Sequence, residues 1–327
     1  TQRAIAGETL LLDGTNGAIT IFPTASAIRD FSDLIERQRE IDAFKPETYY
    51  LMGVEAKRPA DDFSFVAKLS RFDGKKPEIA RKEDANNILL DLAGAELAVS
   101  DLKAQPKTRH ALPPFTTSTL QQAASSVLGF SPGKTMKLAQ SLYEQGRITY
   151  MRTDSVNVSD QARAAAKNFI VGKLGAEYYP EKPNFFKSKA DAQGAHEAIR
   201  PTDVALAPKD AQMDAQELKL YDLVWRRFVA SQMADAKTTV KTVSIAAQKP
   251  GMAHDYLFTA SATIIDFDGF LKVMKLSLKK KKADGEDDED TDEVAYLPDV
   301  KVGDPLEAVR WLSDEKQTKG PAHYSEA

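Results

Sequence analysis

The chain has 327 residues, 42% of them hydrophobic and 28% charged, with a formal charge of −4. That length holds two domains with separate cores, and the acidic balance excludes a protein that coats nucleic acid over its whole surface, so any nucleic-acid site must be a local basic groove. Cysteine is absent, which excludes disulfides, thiolate zinc sites and a thiol nucleophile, and four scattered histidines do not make a histidine-rich metal site.

Residues 1–34 form an N-terminal segment with no clear domain assignment. Within it, Leu10-Leu11-Leu12 and Ala18-Ile19-Thr20-Ile21-Phe22 read as two short strands around the turn-prone Asp13-Gly14-Thr15-Asn16-Gly17. A charged helix ends near Phe44-Lys45-Pro46-Glu47. Phe63, Phe65, Ala67 and Leu69 then alternate with Ser64 and Lys68, which predicts a sheet with one buried face. Glu83 to Ala95 reads as a helix and Ala98 to Leu102 as a strand. Lys103 to Pro114 carries three prolines and reads as a linker, with a domain boundary close to it.

Helical periodicity takes over next. Leu120, Ala123, Ala124, Val127 and Leu128 share one face, Ser118 with Gln121 suggests a capping box, and Gly129 stops the helix. Ser131 caps the following helix with Pro132 at its first position; Thr135, Met136, Ala139, Leu142 and Tyr143 form its apolar stripe and Gly146 ends it. A third helix starts near Ser159 and turns Ala162, Ala165, Ala166, Phe169, Ile170 and Leu174 inward. Gly129 to Thr135 imitates a phosphate loop, but the first glycine stands four residues before Gly133 rather than five, and a helix precedes it. ATP is therefore not expected, although Lys134 at a helix N-terminus is placed to meet a phosphate group.

Beyond Val204, Gln216 to Met233 predicts a helix with Tyr221, Val224, Trp225, Phe228 and Val229 inward and Arg226-Arg227 on a solvated face. Tyr256, Phe258, Ala260, Ala262 and Ile264 alternate as a strand, and Phe270 to Met274 reads as the start of another. Residues 279–293 are four lysines followed by an acidic run, expected as a disordered hairpin loop that closes when Val294 to Leu297 pairs back. Asp288, Asp290 and Asp292 alternate there, but no apolar strand holds them rigid, so no metal site is expected in this chain. No apolar run approaches the ~20 residues that span a bilayer and no signal peptide opens the chain. No membrane partner and a cytoplasmic location are the expectation.

One run stands apart: Arg147-Ile148-Thr149-Tyr150-Met151-Arg152-Thr153-Asp154-Ser155. In extended backbone Ile148, Tyr150 and Arg152 share a face, which sets a phenol beside a guanidinium. A phenol can attack phosphorus, and a guanidinium's planar fork of donors can hold the non-bridging oxygens. The run resembles the active-site motif of type IA DNA topoisomerases. Pro114 to Ser125 resembles the segment that opens that family's tyrosine-bearing domain, and Ala195-His196-Glu197-Ala198-Ile199-Arg200-Pro201-Thr202 resembles its second active-site motif. The resemblance runs from about Ile35 to Ala327 and points to the bacterial topoisomerase I branch. At Phe22 to Ile28 the chain departs from the family's Ser-Ala-Gly-Arg-Val-Gln-Ser motif.

The resemblance implies an α+β fold: a mainly-β arch, or gate, domain in two parts, 35–110 and 206–327, interrupted by a helical, winged-helix-like domain at 111–205 that carries the tyrosine. It implies transient single-strand DNA cleavage through a 5′-phosphotyrosine, strand passage and religation without ATP. Tyr150 would be the nucleophile and Arg152 the stabiliser of the transition state. Thr153, Asp154 and Ser155 would orient the loop. His196 and Arg200, four apart on one helical face, would meet the DNA backbone beside Glu197. Single-stranded DNA is the expected partner, and the chain is expected to act as a monomer. Magnesium is expected only in the complete enzyme, held by a Toprim domain joined in cis or in trans. Two alternatives stay open: a winged-helix module that binds DNA without chemistry, and an incomplete structural subunit.

Overall fold

The computed structural model of the chain describes residues 9–12, 19–22, 36, 39–59, 61–186, 196–274 and 297–320. Two short strands, β1 (Thr9–Leu12) and β2 (Ile19–Phe22), pair antiparallel with Thr9 opposite Phe22. The expected hairpin is present, with its turn outside the described residues.

Six longer strands build the β part: β3 (Thr48–Lys57), β4 (Phe65–Phe72), β5 (Glu96–Arg109), β6 (Ala236–Gln248), β7 (Tyr256–Phe267) and β8 (Pro305–Gln317). They close into an antiparallel barrel in the order β3-β4-β7-β6-β5-β8, with β8 returning to β3. Period-two alternation turns Met52, Val54 and Ala56, Phe65, Ala67 and Leu69, and Val243, Ile245 and Ala247 into one core. Helix α1 (Lys82–Leu92) adds Ala85, Ile88 and Leu92 from a single face. Each large apolar side chain buried in this way stabilises the fold by about 1.5–3 kcal/mol.

Part of this barrel is a ribbon. β8 pairs with β5 only at Leu97 and Ala98, whereas β6 follows β5 all the way to Arg109. β4 likewise leaves β7 after Thr259. From Asp101 onward, β5, β6 and β7 therefore continue as a three-strand extension, and a register shift between Val99 and Asp101 marks the point of departure. The sequence-based linker at 103–114 is corrected accordingly, because residues up to Arg109 are strand. Pro106 is tolerated because β5 has a neighbour on one side only at that point. Phe63, expected inside, is 73% exposed and precedes β4.

The ribbon leads into a helical layer of α2 (Thr117–Leu128), α3 (Pro132–Glu144), α4 (Asp160–Lys173) and α5 (Ala215–Ser231). Ser131 and Ser159 cap α3 and α4 through their side chains, and Gly129 ends α2 in the left-handed region at φ 67°. The cap of α2 is not Ser118 with Gln121. Thr116 and Thr119 form the reciprocal box instead, two residues earlier. Leu120, Ala139, Leu142, Ala166, Ile170, Tyr221, Val224 and Phe228 meet in a second core. α5, which sequence reasoning grouped with the second β part, thus packs in the helical layer, together with Phe270 and Val273. Ala165 and Tyr143 lie exposed rather than inward.

Two further expectations change. Arg226 and Arg227 are half-buried rather than solvated: Arg226 pairs with Asp222, and Arg227 donates to the Pro113 carbonyl at 2.7 Å. Burial pulls the Arg227 guanidinium down to about 10. Phe270 to Met274 does not begin a strand. Gly269–Lys272 is a short 3-10 turn, and a Cβ on Gly269 (φ 47°) would meet the Asp235 carbonyl oxygen at 2.5 Å. The 279–293 loop, its aspartates and most of the expected closing strand lie outside the described residues. The architecture is α+β. Within 111–235 the β pairing among described residues is two isolated bridges, Phe115 to Ile199 and Ile148 to Pro201. No helix among the described residues is long and apolar enough to cross a membrane.

Candidate active site

Those two bridges join the three segments that sequence reasoning singled out. The 147–155 run follows α3 but is not a strand: Ile148 is buried at 1%, while Tyr150 is 47% exposed. From Tyr150 onward the alternation is nonetheless regular. Tyr150, Arg152 and Asp154 point to solvent, and Met151, Thr153 and Ser155 point inward. The face shared by phenol and guanidinium is kept, without Ile148.

Hydrogen bonds from both flanking segments make this possible without a strand partner. Thr117, at the first position of α2, donates its hydroxyl to the Met151 carbonyl at 2.8 Å and the Thr153 carbonyl at 3.1 Å, and accepts the Thr153 N–H at 2.9 Å. Its own N–H donates to the Thr153 carbonyl at 2.9 Å. On the other side, Thr149 donates N–H to the Arg200 carbonyl at 2.9 Å and its hydroxyl to the Ala198 carbonyl at 2.7 Å; its Oγ1 accepts the Arg200 N–H at 3.0 Å. Ile199 N–H donates to Phe115 O, and Thr202 N–H to Arg147 O. Thr153 Oγ1 accepts the Ser155 N–H and Ser155 Oγ the Asn157 N–H, so both hydroxyls shape the loop. Buried backbone groups need such partners, and here threonine and serine hydroxyls join a few backbone bonds to do the work of a continuous strand.

Residues 196–202 are extended, not helical, so His196 and Arg200 are not related by a helical turn. Glu197 is the hub. Its Oε1 accepts the Ser159 N–H at 2.8 Å and its Oε2 accepts Arg200 Nη2 at 2.7 Å. Burial pushes the Glu197 carboxyl up, but the hydrogen bonds from Ser159 and Arg200 outweigh it and hold the pKa below the usual glutamate range. Arg200 also donates to the Pro201 carbonyl, its side chain is 13% exposed, and its buried Nε has no partner among the described residues. Arg200 is therefore built into the scaffold under the loop rather than projecting from it.

The groups facing solvent are different. Among the described residues, neither Arg152, Asp154 nor His196 makes a hydrogen bond or ion pair, and all three are exposed. Tyr150 has one neighbour of note, Tyr143, with ring centroids 5.2 Å apart and planes at 66°. The Lys134 ammonium sits 4.0 Å from the centre of the Phe130 ring at the start of α3. Sequence reasoning missed Thr117, Thr149 and Tyr143. Thr117 and Thr149 lie within the segments already singled out, but only the fold shows what their hydroxyls tie together.

No three Asp, Glu or His side chains among the described residues converge to hold a metal ion. These residues do not fit a magnesium site.

A family profile described as "DNA topoisomerase" matches residues 32–327. DNA topoisomerase 1 of Pasteurella multocida is 42% identical over 295 residues, which are 90% of this chain and 32% of that protein. DNA topoisomerase 1 of Zymomonas mobilis is 40% identical over 298 residues, 90% of this chain and 24% of that protein. Full-length topoisomerase I from Thermotoga maritima shares the fold with a TM-score of 0.67 at 32% identity, covering 90% of this chain and 45% of that one. The chain thus spans about a third or less of the length of these curated relatives. A match across nine-tenths of the chain, including all three knitted segments, places it: the chain belongs to the bacterial type IA DNA topoisomerase I family.

Proposed function

We propose that this chain carries the strand-cleaving tyrosine of a type IA topoisomerase, and that Tyr150 is the nucleophile. The observation that carries this reading is the knitting of three segments beneath one exposed phenol. Thr117 and Thr149 pin the backbone on either side of Tyr150, so its oxygen is presented from a fixed base. In the reaction the phenol oxygen bonds to a backbone phosphorus of single-stranded DNA while the bond from phosphorus to the 3′ oxygen breaks. The phenol proton is lost to solvent and the departing 3′ oxygen gains one, leaving a 5′-phosphotyrosine and a 3′-hydroxyl. Attack by that hydroxyl reverses the step, so no ATP is consumed.

Arg152, exposed and unpaired among the described residues, neutralises the charge that builds on the phosphoryl oxygens. Asp154 and His196 contact the strand at its edges, while Glu197 with Arg200, and Thr153 with Ser155, hold the loop. Lys134 supplies a further phosphate contact. The helical layer is the winged-helix-like domain of the family and the barrel its arch, and the chain acts as a monomer in the cytoplasm. Magnesium, where the reaction uses it, is held by a Toprim domain joined in cis or in trans, and no step here runs through it.

The test is incubation with a single-stranded oligonucleotide, with and without a Toprim domain added in trans, followed by denaturing electrophoresis. A covalent adduct that disappears in Tyr150→Phe is expected. Binding without adduct in either arm would leave a DNA-binding module and reject the nucleophile. Binding should be weak, because few cations face the strand, and should fall further as salt rises, because those cations hold it through its phosphates. It should favour single strands over duplex.

A further inference from the structure

Tyr143 occupies the last turn of α3, where an apolar stripe would have buried it. It is instead 41% exposed, and its ring meets that of Tyr150 edge-on, with centroids 5.2 Å apart. Neither hydroxyl makes a hydrogen bond among the described residues. The backbone on both sides of Tyr150 is pinned through Thr149 and through Met151, whose carbonyl accepts from Thr117. What remains free is the rotation of the Tyr150 side chain about its own two torsions, and an exposed tyrosine has several staggered positions for them. The Tyr143 ring stands against one of these positions.

We propose that Tyr143 is a positioning residue for the Tyr150 nucleophile, setting the direction of the phenol through an edge-to-face ring contact. The proposal rests on the reading of Tyr150 as nucleophile and deepens it. An edge-to-face pair lies near the distance at which aromatic rings attract beyond simple burial. The Tyr143 ring rides on a helix that Ala139, one turn before it, and the adjacent Leu142 anchor in the helical core, so it moves little. The aromatic ring, not its hydroxyl, does the work. That separates this role from proton transfer.

Two readouts test it. In the full chain, with ring-labelled tyrosine, the resonances of Tyr150 should carry a ring-current shift that Tyr143→Ala removes and Tyr143→Phe keeps. In single-turnover cleavage with the Toprim domain in trans, Tyr143→Ala should slow adduct formation about 3- to 10-fold, with oligonucleotide affinity unchanged. Tyr143→Phe should restore the rate. Unchanged cleavage by Tyr143→Ala overturns the positioning role alone. So does a loss confined to affinity, because it makes Tyr143 a surface for the DNA. If the unsubstituted protein shows the ring-current shift yet forms no adduct, the contact is real but the nucleophile reading falls, and positioning falls with it.

Discussion

Two places in this molecule gather aromatic and charged side chains, and they treat them in opposite ways. At one end of the barrel, Asp73 accepts the Asp255 N–H at 2.8 Å and lies 2.8 Å from His254 Nδ1. Those contacts, the Asp255 N–H first, lower the pKa of its carboxyl. Phe72 packs on His254 and Tyr256, and the Tyr256 hydroxyl donates to Asp91 at 2.9 Å. Every group there answers another. In the Tyr150 loop, Arg152, Asp154 and His196 answer nothing among the described residues, although the Thr117 and Thr149 hydroxyls tie down the backbone on either side of Tyr150. A cluster that satisfies itself is architecture. A rigid base that presents unsatisfied groups has somewhere to put a ligand's charge.

The contrast can be broken by substitution. Arg152→Ala should lower the rate of adduct formation about 100- to 1,000-fold, the range for losing one preorganised donor, and should leave the melting temperature in place. A stability loss comparable with that at Arg200 would mean that Arg152 is structural after all. Arg200→Ala should act the other way, costing about 1–3 kcal/mol of stability because Glu197 loses a buried partner, as read by denaturant unfolding. The Glu197 hub adds a pH dependence. Its folded pKa lies below that of an unfolded glutamate, about 4.3, so its contribution is present above that pH and is lost as pH falls through the lowered value. Unfolding profiles of Glu197→Gln should therefore be flatter on the acid side.

Thr117→Val keeps the shape of the side chain but unties the loop from α2. A stability loss of about 1–2 kcal/mol is expected, with faster amide exchange at Thr153. Unchanged exchange would show that the loop is held by something else. The smallest effect belongs to the barrel end: Asp73→Asn, a residue type that accepts the φ of 49°, should shift the melting temperature slightly and leave adduct yield as it was.

The helices were legible because their punctuation is local. Ser131-Pro132, Ser159 and Gly129 each act within one turn, and the structure uses them as read. The alternation of β4 and β7 was equally plain. Closure of the barrel was not. β8 carries one buried residue, Leu306, along Pro305–Gln317, so its period-two signal is nearly silent, and only its pairing with β3 reveals it. The extension of β5 through Pro106 hides for the same reason, since an exposed ribbon has no buried face to alternate against. In the candidate site, side-chain direction could be read from Tyr150 to Ser155. The extended form of 196–202 could not, because its hydrogen bonds go to residues about fifty positions away, Thr149 and Arg147 among them.

The ribbon also sets a scale for movement. The segment from Asp101 to Arg109, at about 3.3 Å per residue, makes an arm of roughly 30 Å between the register shift and the helical layer. A lever magnifies what happens at its pivot. A change of about 10° where β5 leaves the barrel would carry the far end some 5 Å, about the spacing of neighbouring strands, with no rung broken along the arm. The Arg109 to Ala236 rung and the His110 to Asp235 contact at the outer end would travel with the tyrosine as one piece. Small angular freedom in a few backbone torsions thus becomes a displacement on the scale of a nucleotide, while the local geometry around Tyr150 stays as it is.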